Sequence, residues 1–219
     1  MAKPIPIGRP LTIHHRVEGG HRASEHIHDL LSTVGLTPPA EVALKFPHQL
    51  SGGQRQRVAF ARALAVDPEV ILADEPISML DVSIRMGILN MMARLRDERG
   101  LSYLYITHDL ASARYLADET LVLYAGHLVE SAPSEELMGE PLHPYTQLLL
   151  SAVPDPRREP AKRRVEARGE IPTVVNPLPG CRFANRCPHV MDVCRAVTPA
   201  LIELRPTHRV RCHLYGPSS

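Results

Sequence analysis

An α/β fold with a parallel sheet is predicted by three observations. Apolar runs of strand length, at 69–73, 102–106 and 119–123, alternate with helical patterns, the order that βαβ units produce. The first run, EVILA, is apolar without alternation and ends in Asp74–Glu75, the form of a parallel strand whose end faces a ligand. Hydrophobic residues make up 44% and charged residues 22% of the 219, which supports a packed core rather than wholesale disorder.

The elements follow in order. Residues 1–20 carry Pro, Gly and His with weak periodicity and read as a loop; the first segment is drawn as 1–21. From Ala23 the pattern turns helical, with Ile27, Leu30, Leu31 and Val34 on one face and Gly35 as the stop. Gly52–Gly53 opens a second helix to about Val66, with Val58, Ala61 and Ala65 aligned. After the first strand, residues 82–98 are helical, with Ile84, Ile88, Met91, Met92 and Leu95 inward and Gly100 closing. Strand 102–106, helix 110–117 and strand 119–123 continue the alternation. Gly126 turns the chain into a hairpin at Leu128–Val129, and two short helices follow around 135–138 and 145–152. Residues 22–153 form the main segment. From Pro154 to Glu170 the chain is rich in Pro, Arg and Glu, a solvated linker, although its arginines are also able to touch lipid headgroups. Residues 154–219, linker plus a cysteine-rich tail, make the last segment.

A formal net charge of +1 leaves no electrostatic footprint for nucleic acid. The opening MAKPIPIGRPLTIHH has no long apolar core, so no secretory signal is expected. No run approaches the roughly 18 apolar residues of a membrane helix. Any membrane association is therefore expected to run through a partner.

The chemistry sits in four places. Ser51–Gly52–Gly53–Gln54 lies at a helix start, where unpaired N–H groups and the helix dipole suit a phosphate, and the glycines let the backbone approach it. Taken alone, it also reads as a turn capping a helix. Asp74 and Glu75 end a strand; a carboxylate pair there suits magnesium and general-base work, or simply caps the next helix. Ser78–Met79–Leu80–Asp81 follows, and Thr107–His108–Asp109 ends the next strand.

In this order and register, LSGGQRQRVAFARAL, VILADEP, SMLD and THD resemble the signature loop, Walker B strand, D-loop and switch histidine of ATP-binding-cassette (ABC) ATPases. The tail stretches EPLHPYTQLLLSAVPDP, GCRFANRCPHVMDVC and VRCHLY look like the C-terminal extension of oligopeptide and dipeptide transporter ATPases. The resemblance runs from about Leu30 onward. It implies an ABC cassette fold with ATP and Mg²⁺ as ligands. Asp74 would hold Mg²⁺, Glu75 would be the general base, and His108 would contact the terminal phosphate. Ser51, Gly52, Gly53, Gln54 and Asp81 would meet nucleotide across a dimer. Ile77 and Met79 stand where the family has Thr and a small residue, and they bulk up a loop that faces the partner subunit. The implied reaction is ATP hydrolysis driving peptide import. The chain would be cytoplasmic and peripheral on the inner face of the cell membrane, with permease subunits as partners and a peptide-binding protein acting indirectly.

The 219 residues contain no GxxxxGK[ST] phosphate loop: the three lysines, Lys3, Lys45 and Lys162, never follow a glycine. The chain is therefore expected to be an N-terminally truncated, incomplete cassette, completed by a paralogous ATPase subunit supplying Walker A. A non-catalytic, signature-donating remnant is the alternative. DNA-repair and chromosome-organising ABC ATPases share these motifs, but their upstream heptads or zinc modules are not in residues 1–20. In this fold class the strand leading into the phosphate loop lies between the strands at 102–106 and 119–123. The sheet is expected to have a gap there, or to close up.

Cys181, Cys187, Cys194 and Cys212 all fall in the tail, separated by five, six and seventeen residues. That spacing is too wide for the paired knuckles of a zinc ribbon. It is tolerated by a 4Fe–4S cluster, the expected ligand, with a Cys₄ zinc site second (His189 or His213 able to replace a thiol) and free thiols third. Pro177, Pro179 and Pro188 predict a loop-built unit without a core of its own.

Overall fold

The computed structural model describes residues 7–14, 20–78, 80–152 and 179–216. The linker at 154–170 and Met79 lie outside them. The chain divides into two compact units, 1–108 and 109–219.

In the first unit, α1 (Gly8–Ile13) is a short helix where the sequence predicts a loop. Its Leu11, with Ile7 before it, is buried, so two apolar residues are enough to fold the turn against the unit's core. α2 (Gly20–Thr33) buries Leu30 and Leu31, and Val34 lies buried just past its end. Its terminal carbonyls are satisfied by arginines from two other helices, α4 (Gly52–Leu64) and α5 (Val82–Arg99). Arg57 of α4 donates to the Val34 carbonyl (2.6 Å) and to Gly87 of α5 (3.1 Å). Arg94 of α5 donates to the Thr33 carbonyl at 2.6 Å. Burial, then the charge of Arg94, lowers the Arg57 pKa from its ordinary value. A short α3 (Pro39–Ala43) links α2 to α4. Gly100, left-handed at φ 66°, ends α5 at the predicted position.

β1 (Val70–Asp74) pairs in parallel with β2 (Ser102–Ile106), Val70 opposite Ser102 and Asp74 opposite Ile106. The apolar run, whose form is that of a buried parallel strand, is buried on one side: Ile71 and Ala73 face in. Val70 (58%), Leu72 (73%), Leu104 (52%) and Ile106 (48%) are exposed. The pair is a sheet of only two strands, and β2 does not share a sheet with the next strand in sequence. The expected closing-up of the two strands into one sheet is therefore not observed.

In the second unit, Asp109 caps α6 (Leu110–Leu116) by accepting from the Ala111 and Ser112 N–H groups. β3 (Glu119–Tyr124) and β4 (His127–Pro133) form the predicted hairpin, turned by Ala125 and Gly126, both left-handed. α7 (Ser134–Gly139) and α8 (Pro144–Ser151) follow. The tail supplies α9 (Asp192–Ala196), β5 (Ile202–Arg205) and β6 (His208–Val210). β6 pairs with β4, giving a four-stranded antiparallel sheet in the order β3-β4-β6-β5.

This corrects the expectation of a tail without a core. Phe183 is buried with Val122, Tyr124, Val129, Ala132 and Leu137. Its ring packs edge-on against Tyr124 with centroids 5.2 Å apart. Val210 and Cys212 pack with Leu142. The tail has no separate core because it completes that of the hairpin.

His143 is buried and caps α8: its Nδ1 accepts from the Tyr145 N–H at 3.0 Å. Burial pushes the imidazole from its ordinary 6.5 down to about 4. The unfolded chain therefore takes up this proton first as the pH falls. Stability present above pH 6.5 is expected to drop by about 3 kcal/mol between pH 6.5 and about 4. His143→Asn, which can still cap but does not titrate, should flatten that part of the profile in urea unfolding at stepped pH. An unchanged slope would show that the proton goes elsewhere.

Candidate functional site

The site lies in the first unit, at the start of α4 and the carboxyl ends of β1 and β2. Ser51 is the N-cap of α4. Its Oγ accepts from the Gln54 N–H (3.2 Å), and Gln54 Oε1 accepts from the Ser51 N–H (3.0 Å). This reciprocal capping box answers two orphan donors of the helix end. The glycines have a reason the sequence did not show. A Cβ on Gly53 would stand 2.5 Å from Ile84 Cγ2, and one on Gly52 would stand 3.3 Å from Leu80 Cδ2. The Ser-Gly-Gly turn thus packs directly on Leu80 and on Ile84 in the first turn of α5. Ile84 is β-branched and stiff at χ1, so it yields poorly. Gly53→Ala is expected to lower stability by about 1 kcal/mol, an overpacking cost larger than the helix propensity gained. Gly52→Ala should cost less in the same denaturation experiment, and a stabilised Gly53→Ala would contradict this packing.

Asp74 ends β1 with an exposed side chain. Glu75 follows with φ +44°, the left-handed region. Its N–H donates to the Ile106 carbonyl at 2.9 Å, continuing the ladder one residue beyond the strand. Its Oε1 lies 3.0 Å from His108 Nδ1, with both side chains open to solvent. The structure therefore joins two residues that lie 33 positions apart in sequence. Asp81 is the N-cap of α5 through its backbone, accepting from the Arg85 N–H at 2.8 Å, and its side chain makes no capping bond. Ile77 is buried (3% exposed), so its bulk fills the unit's own core rather than a partner-facing surface. Arg57 was not singled out in the sequence, and the particular contacts of Ile84 and Ser78 were not legible there, because all three depend on contacts across helices and turns.

The four cysteines are free thiols; Cys187, Cys194 and Cys212 are buried and Cys181 is half-buried. The Cys181 N–H donates to the Cys194 carbonyl at 2.7 Å, and Gly180 precedes because a Cβ there would stand 2.8 Å from that oxygen. Burial, and then the neighbouring thiols, push Cys212 up to about 11 and raise Cys181 and Cys187. The expected cluster is not supported by this arrangement. Among the described residues, no group of three or more His, Cys, Asp or Glu is placed to hold a metal ion. Cys187 and Cys212 instead belong to two different apolar clusters, and burial favours the thiol over the metal-binding thiolate.

A helix led by Ser-Gly-Gly and packed on Leu80 and Ile84, a strand that ends in an acid pair, and a histidine just past the next strand on the second acid together define an ATP-binding cassette. The family profile "ABC transporter" matches residues 8–78. That of "Oligopeptide/dipeptide transporter, C-terminal region" matches 129–194. The chain belongs to the ATP-binding proteins of the ABC-type oligopeptide/dipeptide transporter family. It is 45% identical over 195 residues to "Oligopeptide transport ATP-binding protein AppF" of Bacillus subtilis (strain 168), covering 88% of this chain and 59% of that protein. YkfD of the same strain is 46% identical over 209 residues, covering 94% of this chain and 63% of that protein. The chain thus spans about three fifths of the length of these curated relatives. A solved structure of the ATP-binding cassette MJ0796, a post-hydrolysis dimer bound to ADP and Pi, matches with TM-score 0.52 and 32% identity, covering 58% of this chain and 54% of that one.

Proposed function

We propose that this chain supplies the signature, acid-pair and switch-histidine part of an ATPase that drives import of short peptides through membrane permease partners. The observation that carries the reading is the Glu75–His108 pair, 3.0 Å apart at the ends of adjacent parallel strands. A carboxylate with a histidine on one oxygen and solvent around it is placed to take a proton from an attacking water. Asp74, an exposed hard oxygen donor beside it, fits Mg²⁺, which when bound would offset phosphate charge. Ser51 to Gln54 present the amino end of α4, a 13-residue helix, to a phosphate, and Asp81 stands at the start of α5. The phosphate loop of the nucleotide site comes from outside these 219 residues, and a paralogous subunit is the proposed source.

No helix among the described residues is long and apolar enough to cross a membrane. The proposed location is the inner membrane face, reached through the permease, with the peptide-binding protein acting indirectly. For the tail, a 4Fe–4S cluster, with zinc as second choice, is proposed on the four clustered cysteines of the sequence alone, against the burial of three of them. Metal analysis of the purified protein decides between the two and discards both if it finds neither.

The test of the main reading is ATP hydrolysis and peptide uptake by the assembled transporter in vesicles. Peptide-stimulated turnover that requires this chain is expected. Turnover that proceeds without it would overturn the reading.

A further inference from the structure

We propose that Ser78 is a positioning residue for the Glu75 carboxylate, an inference that rests on the reading of Glu75 as the base. Along β1 the side chains alternate, with Ile71 and Ala73 buried and Leu72 and Asp74 exposed. A further extended residue would send the Glu75 side chain to the buried face, because strand side chains repeat every two residues. Instead the backbone at Glu75 turns left-handed, φ +44°, and its carboxylate emerges into solvent beside His108. That conformation crowds the Cβ of a non-glycine residue and persists only where its surroundings over-determine it. Pro76 gives no help, since a residue before proline is biased towards extended backbone.

Three hydrogen bonds hold the turn. The Glu75 N–H donates to Ile106 at 2.9 Å, and the Glu75 carbonyl accepts from the Ser78 N–H at 3.1 Å. The same carbonyl accepts from Ser78 Oγ at 2.8 Å. The first two are backbone bonds that any sequence able to make the turn would form. The third is the only one a side chain supplies, and it fixes the carbonyl on the strained side of the φ rotation. Ile106 lies two residues before His108, so the same strand end anchors both the backbone of Glu75 and the histidine that meets its carboxylate. Ser78 thereby acts on where the carboxylate points without touching the reacting groups itself.

The experiment compares wild type, Ser78→Ala, Ser78→Thr, Glu75→Gln and the Glu75→Gln/Ser78→Ala pair in the assembled ATPase, reading kcat and KM for ATP together with the unfolding midpoint of the isolated chain. Ser78→Ala is expected to lower kcat about three- to tenfold, the size of one hydrogen bond, with KM and the midpoint unmoved. Ser78→Thr, which keeps the hydroxyl, restores kcat, and Ser78→Ala adds no loss on top of Glu75→Gln. Wild-type kcat in Ser78→Ala while Glu75→Gln is inactive would sink the role of Ser78 alone. A loss that follows the midpoint and is not rescued by threonine would show a merely structural residue. Full turnover by Glu75→Gln would remove the base, and this inference with it.

Discussion

Replacing Glu75 with glutamine is expected to slow ATP turnover by the assembled transporter about 10²- to 10⁴-fold, the range that a positioned general base contributes. The amide keeps the shape of the side chain, and its oxygen still accepts from His108, 3.0 Å away in the native pair. What it loses is the ability to take a proton. Nucleotide affinity should therefore change little, while kcat falls. The side chain is half exposed, so the unfolding midpoint should not move. Single-turnover hydrolysis with trapped nucleotide measures this directly. Turnover within threefold of wild type would place the base on another residue and leave the pair a structural contact.

Truncating Glu130 to alanine is expected to cost about 3–5 kcal/mol, the range for removing one partner from a buried ion pair. Glu130 is fully buried, yet its two oxygens meet three hydrogen-bonding neighbours. Its carboxylate accepts from the Leu142 N–H (2.7 Å) and the His143 N–H (2.9 Å), and it meets His208 Nε2 at 2.8 Å. The other ring nitrogen, Nδ1, lies 2.8 Å from Glu136. Ionised carboxylates only accept, so with both charged the ring donates from both sides. One acid thus ties β4, the start of α8 and the tail strand β6 together. Without it, two amides and an imidazole lose their acceptor in a dry interior, where each unmet group is costly. The loss is a large share of the ~5–15 kcal/mol that holds a domain together. The chain has six tyrosines and no tryptophan, so tyrosine fluorescence during urea unfolding reports on it. Tyr124 and Tyr145, packed 4.6 Å apart in the second unit, sit close to the affected strands. A shift under 1 kcal/mol would mean that the network is dispensable.

Much of the first unit was legible in sequence. The strand at 102–106 and the helix ending at Gly100 fall where periodicity and a stop signal put them, because such signals act over two to four residues. The motif residues were legible for a related reason: each lies at the end of an element that the same local rules locate. The short helix at 8–13 was missed since its two buried residues make too brief a pattern. Nothing in the local pattern sets Glu130 apart from the other polar residues around the hairpin.

The sequence by itself determined the alternation of strands and helices, the places of Ser51, Asp74, Glu75 and His108 on them, and the family. Only the tertiary structure decided that Glu75 turns left-handed onto His108, that Gly53 makes room for Ile84, and that the cysteines enter apolar clusters. It also decided that the tail completes a sheet. The physical reason is range. Helix and strand preferences are set by neighbours a few residues away, whereas pairing β4 with β6 or burying Glu130 against His208 joins residues 78 apart. No local pattern records which distant partner will satisfy a buried charge.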